Sequence, residues 1–386
     1  MLDFLKTIFG PRISPMNTIH IRKSSIVHNL EYLQSLQPTS AVFPVLKSNA
    51  YGHGLKQMVK ILRNVDVPYL VVDSYPEYQI VKKHSDHHIL VLWETLPTNY
   101  RAFDFKRTVF AVYNIDTLKA LGRRNKHVKI HLFLNTGMNR EWIDIDNLKA
   151  FLEELKNYPH ITVDGVMSHF HSADLPDQSQ HHDFDTSTIE QQIQIFKKAY
   201  YQILEYGHAP RWRHIGNSAS MFKLKEDFFN AWRPGLSLYW YSPLAKEDPA
   251  FVLTKPLRPA LELRSTIVST HIVWPGDWVS YGHKHKHHDR EVVAAVPFGY
   301  AEWFSRVASG KLTYIVWKKK LQQIGTICMN LSSFLIDEKI HVWDEVQLIS
   351  ADQKMPNTLY ALAEASETIV YECLVRLDKG MRREID

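Results

Sequence analysis

The feature that most constrains the fold is a repeated alternation of short apolar runs with amphipathic runs of helical period. Eight runs rich in Val, Ile, Leu and Phe show little polar alternation, which is typical of strands buried on both faces. Between them, apolar residues at spacings near 3.6 indicate helices at Ser25–Leu36, Asp144–Leu155 and Thr188–Tyr206. The predicted strands are Ala41–Lys47, Tyr69–Asp73, Ile89–Trp93, Val109–Tyr113, Val128–Leu134, Ile161–Ser168, Trp212–Ile215 and Gly235–Leu238.

The number of units distinguishes between two α/β architectures. Eight strand–helix units over about 220 residues match a (β/α)8 barrel, whereas a doubly wound open sheet needs fewer strands. An open sheet with a nucleotide site also carries a glycine fingerprint after its first strand, and neither GxGxxG nor GxxxxGK[ST] occurs here. We therefore predict the fold class α/β, with an N-terminal (β/α)8 barrel.

The pattern changes after residue 250. From Leu261–Trp274 to Val342–Ser350, several runs alternate apolar and polar residues, and turn signals separate them, which is typical of antiparallel strands. A helical pattern at Leu359–Leu374 closes this part. We predict an N-terminal extension at residues 1–17, the barrel at 18–250 and a mainly antiparallel β domain at 251–386. The strand at 18–22 could pack with either domain.

Composition and charge narrow the classes of partner. Of the 386 residues, 45% are hydrophobic, and 46 basic against 41 acidic residues give a net charge of +5 without a dense basic stretch. We therefore expect no nucleic-acid partner. Two cysteines form no disulfide framework and indicate a reducing compartment. Because no apolar run approaches the roughly 20 residues of a membrane span, and Met1–Gly10 lacks a secretion signal, we expect a cytoplasmic protein without a membrane partner.

Lys47 is the first candidate for chemistry. It follows five apolar or Pro residues at the carboxyl end of the first predicted strand, where barrel enzymes place catalytic residues. Desolvation there disfavours the ammonium ion, lowers its pKa and frees the amine to form a Schiff base. The alternative is a lysine at a strand end whose ammonium group reaches into solvent.

The sequence around Lys47 resembles a segment of one enzyme family. It reads AVFPVLKSNAYGHG, and alanine racemases carry AVxKANAYGHG around the lysine that binds pyridoxal phosphate. Eight further segments resemble that family in the same order, so that the nine segments are spread from residue 41 to residue 372. They are Thr136–Arg140, Ser168–Phe170, His214–Ser218, Arg233–Leu236, Val279–Gly282, Phe298–Ala301, Cys328–Asn330 and Tyr371–Glu372. The resemblance implies pyridoxal 5'-phosphate as the cofactor.

The resemblance also implies two bases on opposite faces of one carbon. Lys47 would bond to the cofactor and serve as one base, and Tyr281 would be the other. Since a free tyrosine has a pKa near 10, its pKa must fall by roughly 2–3 units, with His169 and Arg233 as the implied hydrogen-bonded relay. In the family the tyrosine comes from the partner subunit, so the resemblance implies a homodimer with a shared active site.

Two arginines are implied to contact cofactor and substrate. Arg233 would face the pyridine nitrogen, and because arginine only donates hydrogen bonds, that nitrogen would stay unprotonated. An unprotonated ring is a weaker electron sink and favours reprotonation over transamination. Arg140 would contact the phenolic oxygen of the cofactor and the substrate carboxylate, which suits a planar guanidinium.

The same segments imply the remaining site residues. Hydroxyl groups, a helix that opens at Asn217-Ser218 and backbone N–H groups after the eighth strand would hold the phosphate. The residues implied for the phosphate are Tyr51, Asn217, Ser218, Gly235, Leu236 and Tyr371. Met329 would receive the substrate carboxylate through its backbone N–H, with Tyr300 beside it.

Several positions depart from the family pattern. Many members have a carbamylated lysine in Lys-x-Asp before the Thr-Gly-Met segment, whereas this chain has Phe133-Leu134-Asn135. Arg140 must therefore be oriented by another residue, for which Asn135 is our candidate. Thr326 replaces an arginine and Asn330 an aspartate, so substrate choice and turnover stay open.

Four histidines follow Tyr281 closely, at 283, 285, 287 and 288. Imidazoles at this density are metal ligands in some proteins, but a real site also needs further ligands and orienting partners. We identify no carboxylate or cysteine that completes the set. We therefore expect a solvated loop and no metal site.

The resemblance implies a racemase that interconverts L-alanine and D-alanine and supplies D-alanine for cell-wall precursors. A serine or broad-specificity racemase is an alternative on the same scaffold, as is a homologue that binds the cofactor with little or no turnover. A barrel-type decarboxylase is disfavoured because its ring nitrogen faces an acidic residue, where this chain has Arg233. A cofactor carrier is disfavoured because such proteins resemble the barrel alone.

Overall fold

The computed structural model describes residues 13–175, 187–225 and 227–386. Residues 1–12, most of the predicted N-terminal extension, lie outside the described residues. The chain divides into two compact units. One runs from Arg22 to Ala260, and the other joins the N-terminal strand Thr18–Ile21 to Leu261–Asp386.

The first unit is built on eight parallel strands, which confirms the predicted barrel. Six strands form one sheet in sequence order, and a parallel pair, Ala41–Val42 with Ala231–Trp232, completes the set. Backbone bridges next to this pair reach both edges of the six-stranded sheet. The six strands are Leu70–Val72, Ile89–Val91, Thr108–Val112, Val128–Phe133, Ile161–Met167 and Trp212–His214.

The eighth strand lies earlier in the sequence than predicted. It is Ala231–Trp232, and the predicted run Gly235–Leu238 forms a buried 3-10 turn instead. Pro234 separates the two and has no N–H for a strand ladder. The N–H of Gly235 then donates to Ser218 Oγ at 3.0 Å rather than to a neighbouring strand. The prediction was wrong because apolar composition alone does not separate a short strand from a buried turn.

Amphipathic helices follow the strands and cover them. All three helices predicted from periodicity are present, and in Ile145–Leu155 the residues Leu148, Phe151, Leu152 and Leu155 are buried as their spacing implies. The helices of this unit are Lys23–Leu36, Leu55–Leu62, Tyr75–His84, Ile115–Gly122, Ile145–Leu155, Ser187–Glu205 and Ser218–Lys223, with 3-10 turns at Pro97–Ala102, Leu236–Tyr239 and Pro249–Thr254.

Aromatic side chains fill part of the barrel interior. Phe43 packs edge-to-face on Tyr69 and Trp212, with ring centres 5.0 and 5.1 Å apart, in a cluster that includes Val71 and Leu90. Such pairs add to the stabilisation from burial alone. This cluster belongs to the same strands whose carboxyl ends carry the site.

The second unit is a nine-stranded, mainly antiparallel sheet, as predicted for the C-terminal part. Its N-terminal strand Thr18–Ile21 pairs antiparallel with Leu261–Thr266 and parallel with the last strand, Arg382–Ile385. The remaining strands are Ser269–Val273, Glu291–Val296, Thr313–Val316, Lys319–Ile324, Ser332–Ile336 and Glu345–Ile349. Short helices lie at Leu359–Ala365 and Val370–Arg376, with 3-10 turns at Tyr281–His283 and Arg306–Ala308.

Turn chemistry explains details of this sheet. Val316 pairs with Lys319, so Trp317 and Lys318 form a two-residue turn, and both have positive φ as tight hairpins require. The predicted single run from Leu261 to Trp274 is two strands, because the chain changes its hydrogen-bonding partner at 267–268. Within the described residues, no helix combines the length and the apolar character that crossing a bilayer requires.

Candidate functional site

Lys47 opens an unusual turn at the carboxyl end of the first barrel strand. Ser48, Asn49, Ala50 and Tyr51 all have φ between 51° and 56°, the left-handed region. For residues with a Cβ atom this conformation costs about 1–2 kcal/mol each. Such strain persists only where the surroundings fix it, and it concentrates at functional sites.

Glu77 provides part of that support. Its Oε1 accepts a hydrogen bond from Asn49 N–H at 3.0 Å, and Asn49 Oδ1 accepts one from Leu55 N–H at 2.9 Å. Burial, together with a hydrogen bond to Asp73, raises the pKa of Glu77 to about 7. Glu77 was not predicted, because its position in a predicted strand–helix connection gives no distinguishing signal.

The surroundings of Lys47 lower the pKa of its amine. Burial is the main cause that lowers the pKa of Lys47, Asp73 opposes that shift, and the guanidinium groups of Arg140 and Arg233 add to it. A lysine with a lowered pKa carries more of the free amine, which is the nucleophilic form. The direction of this pKa shift is the one predicted from the sequence position of Lys47.

Arg233 is buried and surrounded by acceptors. One of its terminal nitrogens, Nη2, donates to Ser168 O at 2.5 Å, and the other, Nη1, donates to His214 O at 3.0 Å and to His214 Nδ1 at 2.5 Å. His169 Nδ1 lies 3.3 Å from Nη2. Burial lowers the pKa of Arg233 to about 9, so the group remains a cation at neutral pH.

A chain of buried groups extends from Arg233 into the barrel. Because Nδ1 of His214 accepts from Arg233, its Nε2 carries the proton and donates to His131 Nδ1 at 2.8 Å. His131 Nε2 lies 3.7 Å from Asp164 Oδ2, which is too long for a direct hydrogen bond. The Tyr69 hydroxyl donates to the same carboxylate at 2.5 Å. The hydrogen bonds from Arg233 to His214 and from His214 to His131 are thus both donated in the direction of the Asp164 carboxylate.

Burial sets the charge state of this chain. Burial lowers the pKa of both His131 and His214, and the charge of Arg233 adds to the shift. At His131 the Asp164 carboxylate opposes the shift without reversing it, so both rings are neutral at physiological pH. Burial opposes ionisation of Asp164, but His131 and Tyr69 hold the pKa of that carboxyl below its usual range. His131 was missed in the sequence, although an imidazole in the apolar strand Val128–Phe133 was a usable signal.

Hydroxyl and N–H groups converge near Gly235. Ser218 Oγ accepts from the N–H groups of Gly235 and Ser237 at 3.0 and 3.3 Å. A Cβ atom on Gly235 would lie 2.2 Å from the Tyr51 hydroxyl oxygen, so only glycine fits there. Asn217 caps the helix that begins at Ser218. These groups, with Leu236 in the following turn, suit a phosphate, whose oxygens accept such hydrogen bonds.

Arg140 lies on an exposed loop of the same unit. Its guanidinium forms a bidentate pair with Glu141 and lies 5.6 Å from the ring centre of Trp142. Asn135 instead hydrogen-bonds Asn139 and Asp144, and so shapes the loop. Our candidate for orienting Arg140 was therefore wrong, because the asparagine amide is used within the turn.

The other predicted residues belong to the second unit. Tyr281 begins a 3-10 turn and is 70% exposed, and its carbonyl oxygen accepts from Thr326 Oγ1 at 2.7 Å. Tyr300, Met329 and Tyr371 are also exposed. The segments of Tyr300 and Met329 are paired by main-chain hydrogen bonds, of which Tyr300 N–H to Cys328 O measures 3.0 Å.

Family models account for almost the whole chain. Residues 21–243 match the alanine racemase N-terminal domain, and residues 260–385 match the alanine racemase C-terminal domain. The chain belongs to the alanine racemase family. The resemblance stated from the sequence segments is thereby confirmed.

Curated and solved alanine racemases are similar over their full length. The alanine racemase of Geobacter sulfurreducens is 30% identical over 370 residues, which are 93% of this chain and 94% of the relative. The alanine racemase of Staphylococcus saprophyticus is 28% identical to this chain over 373 residues, which are 95% of this chain and 93% of the relative. The crystal structure of the Bacillus anthracis alanine racemase with bound L-Ala-P has a TM-score of 0.87 at 25% identity, covering 97% and 96%.

One departure from the alanine racemase pattern has a structural account. Where many members carry a carbamylated lysine, Phe133 stacks on Trp142 with ring centres 4.9 Å apart and planes at 20°. Trp142 in turn lies beneath the guanidinium of Arg140. A stacked aromatic pair therefore stands where other members use a negative charge near this arginine. The missing lysine is visible in the sequence, whereas the contacts of Trp142 and Glu141 with Arg140 were not predicted.

Proposed function

We propose that this alanine racemase family member is a pyridoxal-phosphate-dependent enzyme that interconverts L-alanine and D-alanine with Lys47 and Tyr281 as its two bases. The observation that carries the proposal is the surroundings of Lys47: an amine of lowered pKa, on a strained turn, in the same unit as the buried Arg233. Bound pyridoxal phosphate supplies an electron sink for the carbanion that forms when the substrate loses its Cα proton.

Two groups of residues would hold that cofactor. Tyr51, Ser218 and the N–H groups near Gly235 and Leu236, beside the cap residue Asn217, offer donors for the phosphate, and Tyr371 is proposed to add a second phenol. Arg233 would face the pyridine nitrogen. As a group that only donates, it would keep this nitrogen unprotonated and so favour simple reprotonation of the carbon.

Lys47 and Tyr281 would move the proton. Racemisation requires removal from one face and delivery on the other, so the amine and the phenol must lie on opposite sides of the carbon. The pKa of a tyrosine phenol must fall by roughly 2–3 units to act near neutral pH, which is about 3–4 kcal/mol. Because His169 Nδ1 faces Arg233, its Nε2 carries the proton, and that N–H is the donor available to stabilise a phenolate.

Substrate positioning would fall to exposed groups. Arg140 offers a planar guanidinium for the substrate carboxylate, and the backbone N–H of Met329, beside Tyr300, offers a further donor. A homodimer in which Tyr281 enters the partner's barrel accounts for a catalytic phenol that is 70% exposed in a single chain. The exposure of Tyr300 and Met329 supports the same assembly.

Deuterium exchange tests the proposal directly. When the purified protein is mixed with pyridoxal phosphate and L-alanine in deuterated water, L-alanine should lose its Cα proton and D-alanine should form. L-serine is tested in parallel. Tyr281→Phe should keep the visible cofactor band and lose exchange from one enantiomer far more than from the other. A cofactor band without any exchange would overturn the racemase in favour of a cofactor-binding homologue, and faster turnover of serine would overturn the choice of alanine.

A further inference from the structure

A hairpin in the second unit carries Tyr281 at its tip and two histidines on its returning arm. His285 O accepts from Val279 N–H at 3.1 Å, and His287 N–H donates to Asp277 O at 2.9 Å. In an extended arm, residues two apart lie on the same face. Main-chain pairing therefore fixes both imidazoles on one side of the hairpin.

A carboxylate joins these two imidazoles. Ligand atoms of His285, His287 and Glu291 all lie within 4.8 Å of one another. The imidazole rings are 4.8 Å apart, and His287 Nδ1 is 2.5 Å from Glu291 Oε2. Our expectation of no metal site rested on a missing carboxylate. Glu291, the first residue of the next strand, provides it.

His287 has an unsatisfied nitrogen. Its side chain is buried, and its Nε2 has no hydrogen-bond partner among the residues that the structure describes. Buried polar atoms without a partner are uncommon in folded proteins and point to a missing ligand, water or ion.

The nearby cations are engaged elsewhere. The ammonium of Lys286 lies 5.5 Å from the ring centre of Trp278, and Arg290 Nη1 pairs with Glu338 at 2.8 Å. Lys284 and His288 are exposed to solvent. The carboxylate of Glu291 is therefore the charge in contact with His287, and it lies within 4.8 Å of a ring nitrogen of His285.

We propose that His285, His287 and Glu291 bind one divalent transition-metal ion of the class that prefers imidazole, such as Zn2+. Two imidazoles and one carboxylate form a recognised zinc ligand set with an open position for water. Imidazole-rich sites disfavour Mg2+ and Ca2+, which prefer oxygen ligands. The ion would tie the returning arm to the strand Glu291–Val296 and so restrain the hairpin that carries Tyr281.

The test uses the tag-free, cofactor-loaded protein after removal of adventitious metal. Equilibrium dialysis with Zn2+ should give about one tightly bound ion per chain beyond any that the cofactor takes up. His285→Gln and Glu291→Gln should each weaken that binding at least tenfold. His288→Gln, an exposed histidine of the same loop, is the matched control and should bind as the wild type does.

Two further measurements keep the outcome decisive. Zn2+ should raise the midpoint of thermal unfolding of the wild type and of His288→Gln but not of His285→Gln, whereas Mg2+ should leave all three unchanged. His285 is only half-buried, so His285→Gln tests the site even if a substitution of the buried His287 fails to fold. Unchanged Zn2+ binding in both His285→Gln and Glu291→Gln, or no binding to the wild type, would overturn the site. Neither readout depends on racemase activity.

Discussion

Two arginines of the barrel unit are held in place by different kinds of interaction. Arg233 is 4% exposed and donates to the carbonyl oxygens of Ser168 and His214 and to an imidazole nitrogen. Arg140 has a side chain that is 56% exposed and is positioned by Glu141 and the ring of Trp142. The buried guanidinium of Arg233 therefore stabilises the folded barrel, whereas the exposed guanidinium of Arg140 is held by neighbouring residues of its own loop. Substitutions at the two positions should separate stability from catalysis.

The largest expected effect is on the buried side. Arg233→Met removes the donor that Ser168 O and the Nδ1 atoms of His214 and His169 share inside the barrel, which should lower the free energy of unfolding by about 3–5 kcal/mol. Urea unfolding of both proteins without added cofactor measures this change. Arg233→Lys should recover only part of it, because an ammonium cannot reproduce the fork of donors. A difference below about 1 kcal/mol for Arg233→Met would contradict the structural role.

On the exposed side, Arg140→Met should alter the free energy of unfolding by less than about 1 kcal/mol, because exposed ion pairs contribute little. If Arg140 binds the substrate carboxylate, as proposed, kcat/KM for alanine should fall roughly 10- to 100-fold, the value of one or two charge-assisted hydrogen bonds. Steady-state kinetics and urea unfolding of the same sample measure the two effects. A large loss of stability with normal kinetics would reverse the assignment.

The amino-acid sequence predicted the local parts of this site well. The position of Lys47 at a strand end and its lowered pKa followed from an apolar run that ends in a lysine. The barrel followed from the series of apolar runs, although the last run, Gly235–Leu238, is a turn and not a strand, and the missing family lysine at 133 was visible directly. Each of these features depends on residues close together in the chain.

Long-range pairings were not accessible in the same way. His131 and His214 are 83 positions apart and meet because their strands flank Ile161–Met167 in the barrel. Gly165 makes room for them, since a Cβ atom there would lie 2.7 Å from the His131 ring. No local feature of the sequence indicates that these strands bring His131 and His214 to the same level of the barrel. The hydrogen bond from Asn49 to Glu77 is hidden for the same reason.

The buried histidines predict a pH dependence that sharpens the comparison. The folded-state pKa of His131 and of His214 is lowered, so the unfolded chain binds more protons below about pH 6.5. The free energy of unfolding should therefore fall as pH drops from 7 towards 5, by at most about 1.4 kcal/mol per pH unit for each ring. Glu77 opposes this with its raised pKa, because the folded state then holds the extra proton between about pH 4.5 and 7.

Urea unfolding at several pH values separates these contributions. Glu77→Gln removes the group that binds an extra proton in the folded state, so the free energy of unfolding should fall more steeply as the pH drops. His214→Asn should make this fall shallower. If the stability of the Glu77→Gln variant does not change between pH 7 and 5, that result would contradict neutral buried histidines.

The smallest expected effect concerns the aromatic support of Arg140. An arginine over an exposed ring gains about 0.5–1 kcal/mol, so Trp142→Ala should lower kcat/KM for alanine roughly two- to fivefold if Arg140 positions the substrate. Trp142→Phe keeps a ring over Phe133 and should retain most of the activity. Trp274→Ala is the matched control, because this exposed tryptophan also carries an arginine, Arg290, at 5.8 Å but lies in the second unit. Equal losses in Trp142→Ala and Trp274→Ala would show that the ring beneath Arg140 has no specific part in holding it, and would leave Glu141 as its positioning group.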